Sequence, residues 1–137
     1  YGVPVVSSEI IGLTPAESAA DNGFQAKILI IGVAYKPDVV DCRESPALEV
    51  IRLLKQAGAE VSYHDPLIPC LNEAEAGLNM ESRSLTDNLL PEFDLVIITT
   101  DHSCLDYAWL HQHARHIFDT RNATREIQAD RQKITLL

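Results

Sequence analysis

The sequence predicts a three-layer α/β domain in which helices cover both faces of a doubly wound, mostly parallel sheet. Short runs of β-branched and other apolar residues, typical of strands buried on both faces, recur along the chain. Segments with apolar residues at helical spacing separate these runs. Strand, helix and strand in that order form a right-handed unit with parallel strands. The alternation therefore favours a parallel sheet over a sandwich or a helical bundle.

The composition fits one domain with one core, and the charge excludes several classes of partner. The 137 residues are 46% hydrophobic and 23% charged, which is ordinary for a globular protein. Lys and Arg number 11 against 20 Asp and Glu, giving a net charge of −9 that disfavours nucleic acid and anionic membranes as partners. Any bound phosphate must therefore be held by a few well-placed cations.

Cysteine usage and apolar run lengths indicate the compartment. The three cysteines contain no Cys-x-x-Cys pair, which favours a reduced protein. The longest apolar runs are far shorter than the ~20 residues that span a bilayer, and the start has no signal-peptide pattern. We expect a cytoplasmic protein.

The chain divides into three parts. Residues 1–24 are interpreted as a linker or connecting segment with a short helix from Pro15 to Asp21. The predicted domain occupies residues 25–124, and residues 125–137 form a tail or an edge strand. Because the first residue is not Met, we expect the chain to begin either inside a longer protein or after a processed end.

The clearest unit is strand, helix, strand. The apolar run 27–33 predicts the first buried strand. After a polar loop, Ser45 as N-cap and Pro46 at the first helical position begin a helix that Gly58 ends. Glu60–His64 is the second predicted strand.

The second half continues the alternation. Short helices are predicted near Leu71–Ala76 and Leu85–Leu90, before a third buried strand over 95–99. A helix over Leu105–Ala114 and a strand from His116 to Asp119 follow. This order is typical of a Rossmann-like domain, in which ligands bind at the carboxyl ends of the strands.

The loop after the first strand disfavours a dinucleotide site and offers a cation instead. Of the three glycines that a dinucleotide-binding loop needs, it holds only Gly32. Tyr35, Lys36 and Pro37 add bulk where a pyrophosphate needs access to the backbone. Lys36 suits a phosphate or a sugar hydroxyl, unless it is a solvated surface lysine.

Other polar residues at strand ends have two interpretations each. Arg43 is either a ligand-binding cation or a partner of Glu44 or Asp41. Asp65 follows the second strand, where a ribose-binding carboxylate lies in related folds, but without a glycine loop a turn is favoured. Arg121, after the fourth strand, can grip a phosphate or a uracil carbonyl through its planar fork.

Three other kinds of chemistry are disfavoured. His111 and His113 point apart on a helix, so that with His116 they indicate a surface cluster rather than a metal site. Cys104 follows an Asp-His-Ser run, but neighbours in sequence seldom form a nucleophile and its base. A phospho-receiver domain needs an acidic pair at the end of the first strand, and none is present.

Taken together, six segments resemble one family in their order and spacing. They are Gly32–Asp38, Asp41–Leu48, Gly58–Val61, Tyr63–Pro66, Thr99–Ser103 and Phe118–Asn122. They resemble the C-terminal, UDP-binding domain of the UDP-glucose/GDP-mannose dehydrogenases, over about residues 26–124. The Tyr-His-Asp-Pro, Asp-His-Ser and Asp-Thr-Arg-Asn segments are most similar to those of UDP-N-acetylglucosamine and UDP-N-acetylmannosamine 6-dehydrogenases.

The resemblance implies an enzyme of which this chain is only one part. Family members oxidise the 6-hydroxyl of a nucleotide sugar to a carboxylate with NAD, through a catalytic cysteine, for polysaccharide biosynthesis. Their NAD-binding domain, central dimerising domain and catalytic cysteine all precede the UDP-binding domain. We therefore expect a homodimeric full-length enzyme, and in this chain no catalytic, cofactor-binding or metal-binding residue and no activity alone.

For this chain the resemblance implies contacts to a UDP-sugar substrate. Lys36 is expected to contact the UDP-sugar and Arg121 its nucleotide part, while Tyr35 lines the site. Arg43 either contacts the substrate or only organises the loop. The alternative is a stand-alone Rossmann-like nucleotide-binding or regulatory module, which would bind NAD in preference to UDP.

Overall fold

The computed structural model describes residues 25–73 and 77–137, so the helix expected between Pro15 and Asp21 lies outside the described residues. The elements in chain order are β1 (Lys27–Ile31), α1 (Pro46–Gln56), β2 (Glu60–His64), β3 (Cys70–Glu73), β4 (Leu78–Glu81), β5 (Leu95–Ile98), α2 (Tyr107–His113), β6 (Ile117–Asp119) and β7 (Ile134–Leu136). Single 3-10 turns precede β5, at Leu90–Glu92, and β7, at Arg131–Lys133.

The main sheet is a five-stranded parallel sheet with the order β2-β1-β5-β6-β7. The chain first moves from β1 outwards to β2, then returns to β5 on the other side of β1. This reversal creates a crevice outside the carboxyl ends of β1 and β5. The Rossmann-like α/β prediction is confirmed.

Alternation along β1 places apolar side chains in two separate cores. Ile28 and Ile30 pack on one face of the sheet, in the same cluster as Ile51 of α1. Leu29 and Ile31 pack on the other face, in the same cluster as Leu110 of α2. Both faces of this interior strand are therefore buried, as its continuous apolar run predicts.

Helix α1 begins where the sequence predicts. The Ser45 side chain accepts a hydrogen bond from the Ala47 amide at 3.2 Å, and Pro46 occupies the first turn. By contrast, α2 begins later than predicted, at Tyr107, because the Asp106 carboxylate caps the amide of Trp109 at 3.1 Å.

Both short helices predicted in the middle of the chain are wrong. Residues Cys70–Glu73 form β3, which pairs antiparallel with β4, and residues 74–76 lie outside the described part. Leu71 and Leu78 are buried while their neighbours Asn72 and Asn79 are exposed, which is the two-residue period of a strand. The segment near Leu85–Leu90 is too short for a stable α-helix and gives way to the 3-10 turn.

None of the helices within the two described ranges is both long enough and apolar enough to cross a membrane.

Gly32 provides a test of the close approach between the chain just after β1 and Thr100, just after β5. Its φ is +85°, and a Cβ atom there would lie 2.2 Å from the carbonyl oxygen of Thr100. We expect Gly32→Ala to lower the free energy of unfolding by about 3 kcal/mol or more, measured by urea denaturation, because backbone strain and overlap add.

Gly77 is the matched control. Its φ is +68°, but a Cβ atom there meets nothing within 4 Å. Gly77→Ala should therefore cost only the left-handed backbone penalty of about 1–2 kcal/mol. Equal losses for the two variants would contradict the close approach of β1 to Thr100.

Candidate functional site

The crevice between β1 and β5 contains a cavity of about 390 Å³. The loop after β1, the start of α1 and the ends of β5 and β6 surround it. Its lining consists of Ala34, Tyr35, Lys36, Pro37, Glu44, Pro46, Thr99, Thr100 and Arg121. A ligand in an open parallel sheet binds at this position.

Three of the four side chains predicted to bind substrate meet in this cavity. Tyr35, Lys36 and Arg121 all line it, although Arg121 comes from the far end of the domain sequence. Arg43 does not line it. Its guanidinium instead pairs with Asp41, Nε to Oδ1 at 3.0 Å, and its side chain is 82% exposed. This pair raises the pKa of Arg43 and lowers the pKa of Asp41.

Side chains from neighbouring elements hold the backbone of the loop after β1. The Ala34 carbonyl accepts hydrogen bonds from the Thr100 hydroxyl at 2.7 Å and the Ser45 hydroxyl at 3.2 Å. The Gly32 carbonyl accepts from the Thr99 hydroxyl at 2.6 Å. The cavity wall is therefore fastened to both β5 and the N-terminus of α1.

Asp65 is a buried structural carboxylate, which confirms the turn interpretation. Its Oδ1 accepts from the amides of Leu67 and Ile68, at 2.8 and 3.2 Å, and so closes the turn after β2. Its Oδ2 accepts from the amide of Val33 at 2.8 Å and contacts the His102 ring at 2.9 Å. Asp65 does not line the cavity, so it is not placed to bind a ribose there.

The hydrogen bonds of His102 determine its tautomer. Its Nδ1 accepts the amide hydrogen of Asp38 at 2.8 Å, so the ring hydrogen lies on Nε2 and is donated to Asp65. The ring is fully buried, and both of its nitrogens are engaged. It is therefore not available as a base for the exposed thiol of Cys104.

Asp38 completes the connection between the loops after β1 and β5. Its carboxylate accepts from the amide of Ser103 at 2.8 Å and from its hydroxyl at 3.0 Å. The bond to the Ser103 amide is the main cause that lowers the pKa of Asp38. Sequence reasoning missed Asp38 and Ser103 as contacts, since only the fold brings these two motifs together.

A second buried carboxylate organises the turn that carries Arg121. Asp119 accepts from the amides of Arg121, Ala123 and Thr124 at 3.0, 3.1 and 2.8 Å, and from the Thr124 hydroxyl at 2.6 Å. The Arg121 side chain extends from this turn and donates from Nε to Asp101 at 3.3 Å. It remains 43% exposed, so part of the guanidinium is accessible to a ligand.

The charges of the lining favour a small anion. Lys36 forms no ion pair with a carboxylate within the described ranges. Pro46 in the lining places the N-terminus of α1 at the cavity, and the positive end of a helix favours an anion. Glu44, which the sequence suggested as a possible partner of Arg43, also lines the cavity and is its one carboxylate among the described residues.

The histidines near α2 do not form the expected surface cluster. His111 is only 7% exposed, and its Nε2 lies 3.0 Å from the Asp130 carbonyl oxygen. The chain segment that leads into β7 covers it, so the surface interpretation is wrong for this residue. His113 packs beside Trp109, with ring centroids 4.9 Å apart. In the described part of the chain, no three His, Cys, Asp or Glu side chains are arranged to hold a metal ion.

The parallel sheet, the switch-point cavity and its two cations define a Rossmann-like domain with a candidate site whose charges suit a small anion. A family model described as "UDP-glucose/GDP-mannose dehydrogenase family, UDP binding domain" matches residues 29–126. The chain belongs to this family, and the matched part is its UDP-binding domain. The resemblance stated above is confirmed.

Individual relatives agree with the family. The chain is 37% identical over 76 residues to UDP-glucose 6-dehydrogenase TuaD of Bacillus subtilis, covering 54% of this chain and 16% of the relative. It is 37% identical over 76 residues to UDP-N-acetyl-D-mannosamine dehydrogenase of Methanococcus maripaludis, covering 56% and 16%. The chain thus spans a small part of the relatives it matches.

A solved structure agrees with the fold. The UDP-N-acetyl-mannosamine dehydrogenase Cap5O of S. aureus is 31% identical, with a TM-score of 0.54. The match covers 71% of this chain and 22% of that structure's chain.

The turn around Asp119 gives a test of how the site is held. Asp119→Ala removes the acceptor of four hydrogen bonds in a buried position. We expect the free energy of unfolding to fall by about 3 kcal/mol or more, measured by urea denaturation.

Asp106→Ala is the control, because its exposed carboxylate caps one amide, that of Trp109. It should cost about 1 kcal/mol. A loss at Asp119 no greater than at Asp106 would show that the buried carboxylate does not hold the turn.

Proposed function

We propose that this chain is the substrate-binding part of an NAD-dependent UDP-sugar 6-dehydrogenase, which oxidises the C6 hydroxyl of the sugar to a carboxylate. The main support for this proposal is that Lys36 and Arg121 line one cavity at the switch point of the sheet. Two cations that line the same cavity can offset a diphosphate locally, even in a domain with a net charge of −9.

Each cavity side chain has a proposed role. Lys36, which has no carboxylate partner among the described residues, binds the UDP-sugar through its ammonium group. Arg121, whose side chain remains partly exposed beside Asp101, binds the nucleotide part through its guanidinium. Tyr35, which is 52% exposed, lines the site. Arg43 organises the loop through Asp41 rather than contacting the substrate.

NAD is proposed to bind elsewhere in the longer protein. The loop after β1 does not fit NAD, since Gly32 is its only glycine. In addition, the side chains of Tyr35, Lys36 and Pro37 occupy the cavity wall. We further propose that the catalytic cysteine and the dimer interface of a cytoplasmic homodimer lie outside this chain, and that residues 25–124 are the binding domain.

The proposed sugar is an N-acetylhexosamine. Support comes from the names of relatives: the Methanococcus maripaludis relative and the S. aureus structure are both UDP-N-acetylmannosamine dehydrogenases. The Bacillus subtilis relative is a UDP-glucose 6-dehydrogenase, so the family match by itself does not select the sugar. Calorimetric comparison of UDP-N-acetylmannosamine, UDP-N-acetylglucosamine, UDP-glucose and GDP-mannose tests this preference.

Two matched pairs of variants test the binding site. We expect Lys36→Ala and Arg121→Ala each to weaken UDP binding by about 10- to 100-fold in a calorimetric or NMR titration, because each removes a charge-assisted hydrogen bond. Lys27→Ala and Arg115→Ala remove equal charges at the amino edge of the sheet, and Arg115 forms an ion pair of the same 3.3 Å length as Arg121.

The control variants should bind UDP within about twofold of the parent chain. If the cavity and control variants weakened UDP binding equally, the effect would come from net charge alone, and the proposed site would be refuted.

The chain's activity alone gives a further test. With UDP-sugar and NAD present, we expect no NADH absorbance at 340 nm above a blank, and no NAD binding under conditions where UDP binds. NADH production would contradict the proposal that NAD binding and catalysis lie outside this chain. Binding of NAD in preference to UDP would favour the stand-alone module instead.

A further inference from the structure

We propose that Asp38, His102 and Ser103, together called the Asp38 anchor, position Lys36 for the UDP-sugar. None of the three lines the cavity. They act through the backbone of the loop that carries Lys36, so they are positioning residues rather than substrate-binding ones. The inference rests on the proposed function and deepens it by stating what holds the ligand-binding cation in place.

The anchor consists of three hydrogen bonds that converge on one residue of the loop. The Asp38 amide donates to Nδ1 of His102 at 2.8 Å, and its carboxylate accepts from the Ser103 amide at 2.8 Å and hydroxyl at 3.0 Å. Both partners follow β5, whereas Asp38 follows β1. Asp38, in the loop that carries Lys36, is thus hydrogen-bonded through both its backbone amide and its carboxylate to residues just after β5.

The base of the anchor is part of the buried core. The His102 ring is fully buried and donates from Nε2 to the buried Asp65 carboxylate at 2.9 Å. Its carbonyl oxygen accepts the hydroxyl hydrogen of Tyr107, from α2, at 2.8 Å. Because core side chains move little, Asp38 is bound to a rigid support.

Lys36 lies between two held points and is itself without a carboxylate partner in the described ranges. On one side the Tyr35 amide donates to the Asp41 carbonyl at 2.7 Å. On the other side Pro37 restricts the backbone of Lys36 to extended conformations and leads to Asp38. The backbone is therefore set before a ligand arrives, which lowers the entropy cost of binding.

Asp38 has an unfavourable backbone conformation, which the hydrogen bonds of the anchor stabilise. Its φ is +63°, in the left-handed region that residues other than glycine avoid. Asp tolerates this region better than most residues, and the bonds to His102 and Ser103 hold it there. A loop without these bonds would relax to other conformations and carry Lys36 with it.

A purely electrostatic role for Asp38 predicts the opposite sign. Its carboxylate is 53% exposed and close in sequence to the proposed site, so its removal would make the site more positive. Through charge alone, loss of Asp38 would strengthen binding of an anion. Positioning predicts weaker binding, and the sign of the effect separates the two.

The experiment titrates the full 137-residue chain with UDP by NMR and compares three variants. Asp38→Gly permits the same backbone but removes the carboxylate, and we expect it to weaken UDP binding by about fivefold or more. Asp38→Asn keeps an oxygen acceptor for Ser103 and should bind within about twofold of the parent chain. Asp130→Gly is the matched control, since Asp130 is also exposed, has a φ of +51° and lies before β7 at the opposite edge; it should leave UDP binding unchanged.

Two readouts separate positioning from stability. In a Lys36→Ala background the same Asp38→Gly change should alter UDP affinity by less than about twofold, because the anchor acts through Lys36. The 15N order parameter of the Lys36 amide should fall in Asp38→Gly and not in Asp38→Asn, whether or not UDP is present.

The outcomes distinguish this inference from the proposed function. No UDP binding by the parent chain, or no effect of Lys36→Ala, would overturn the proposed function. With those two results as expected, unchanged or tighter binding by Asp38→Gly would overturn the anchor alone. An unchanged order parameter at Lys36 in Asp38→Gly would overturn the anchor whatever the ligand.

Discussion

The carboxylate of Asp65 holds three loops at the carboxyl edge of the sheet, and the cavity depends on it. Its two oxygens accept from the turn after β2, from the Val33 amide after β1 and from His102 after β5. Each of these donors is buried or partly buried, so an absent acceptor would leave unpaired polar groups in the interior. One buried hydrogen-bond centre therefore connects the loops after β1 and β5, which border the cavity, to the turn after β2.

The same principle separates the buried structural charges of this acidic domain from the charges that line the candidate site. Asp65 and Asp119 are buried, and their oxygens are used by backbone amides and side chains of the loops that they organise. Lys36 and Arg121 stand in the cavity with charge left for a ligand. A net charge of −9 is compatible with binding a single nucleotide, because the nearby cations rather than the distant field decide the local potential.

Most of the candidate site could be predicted from the sequence, and the misses have physical reasons. Lys36 and Arg121 were candidates because both are cations shortly after predicted strands, whose ends share one edge of a parallel sheet, and the family resemblance then implied their contacts to the substrate. Arg43 shares their chemistry but pairs with Asp41 two residues away, a choice between local partners that spacing does not resolve. Asp38 was missed because its partner Ser103 is distant in sequence.

The alternation of strands and helices, the start of α1 and the family could all be predicted from the sequence, because they depend on local periodicity, caps and short motifs. That residues 70–73 form a strand is set by the tertiary structure, since they gain a partner in β4 through contacts outside their own segment. The tertiary structure also decided which polar residues are buried supports and which face the cavity. Burial and hydrogen-bond partners come from elements far apart in the chain, and no local pattern records them.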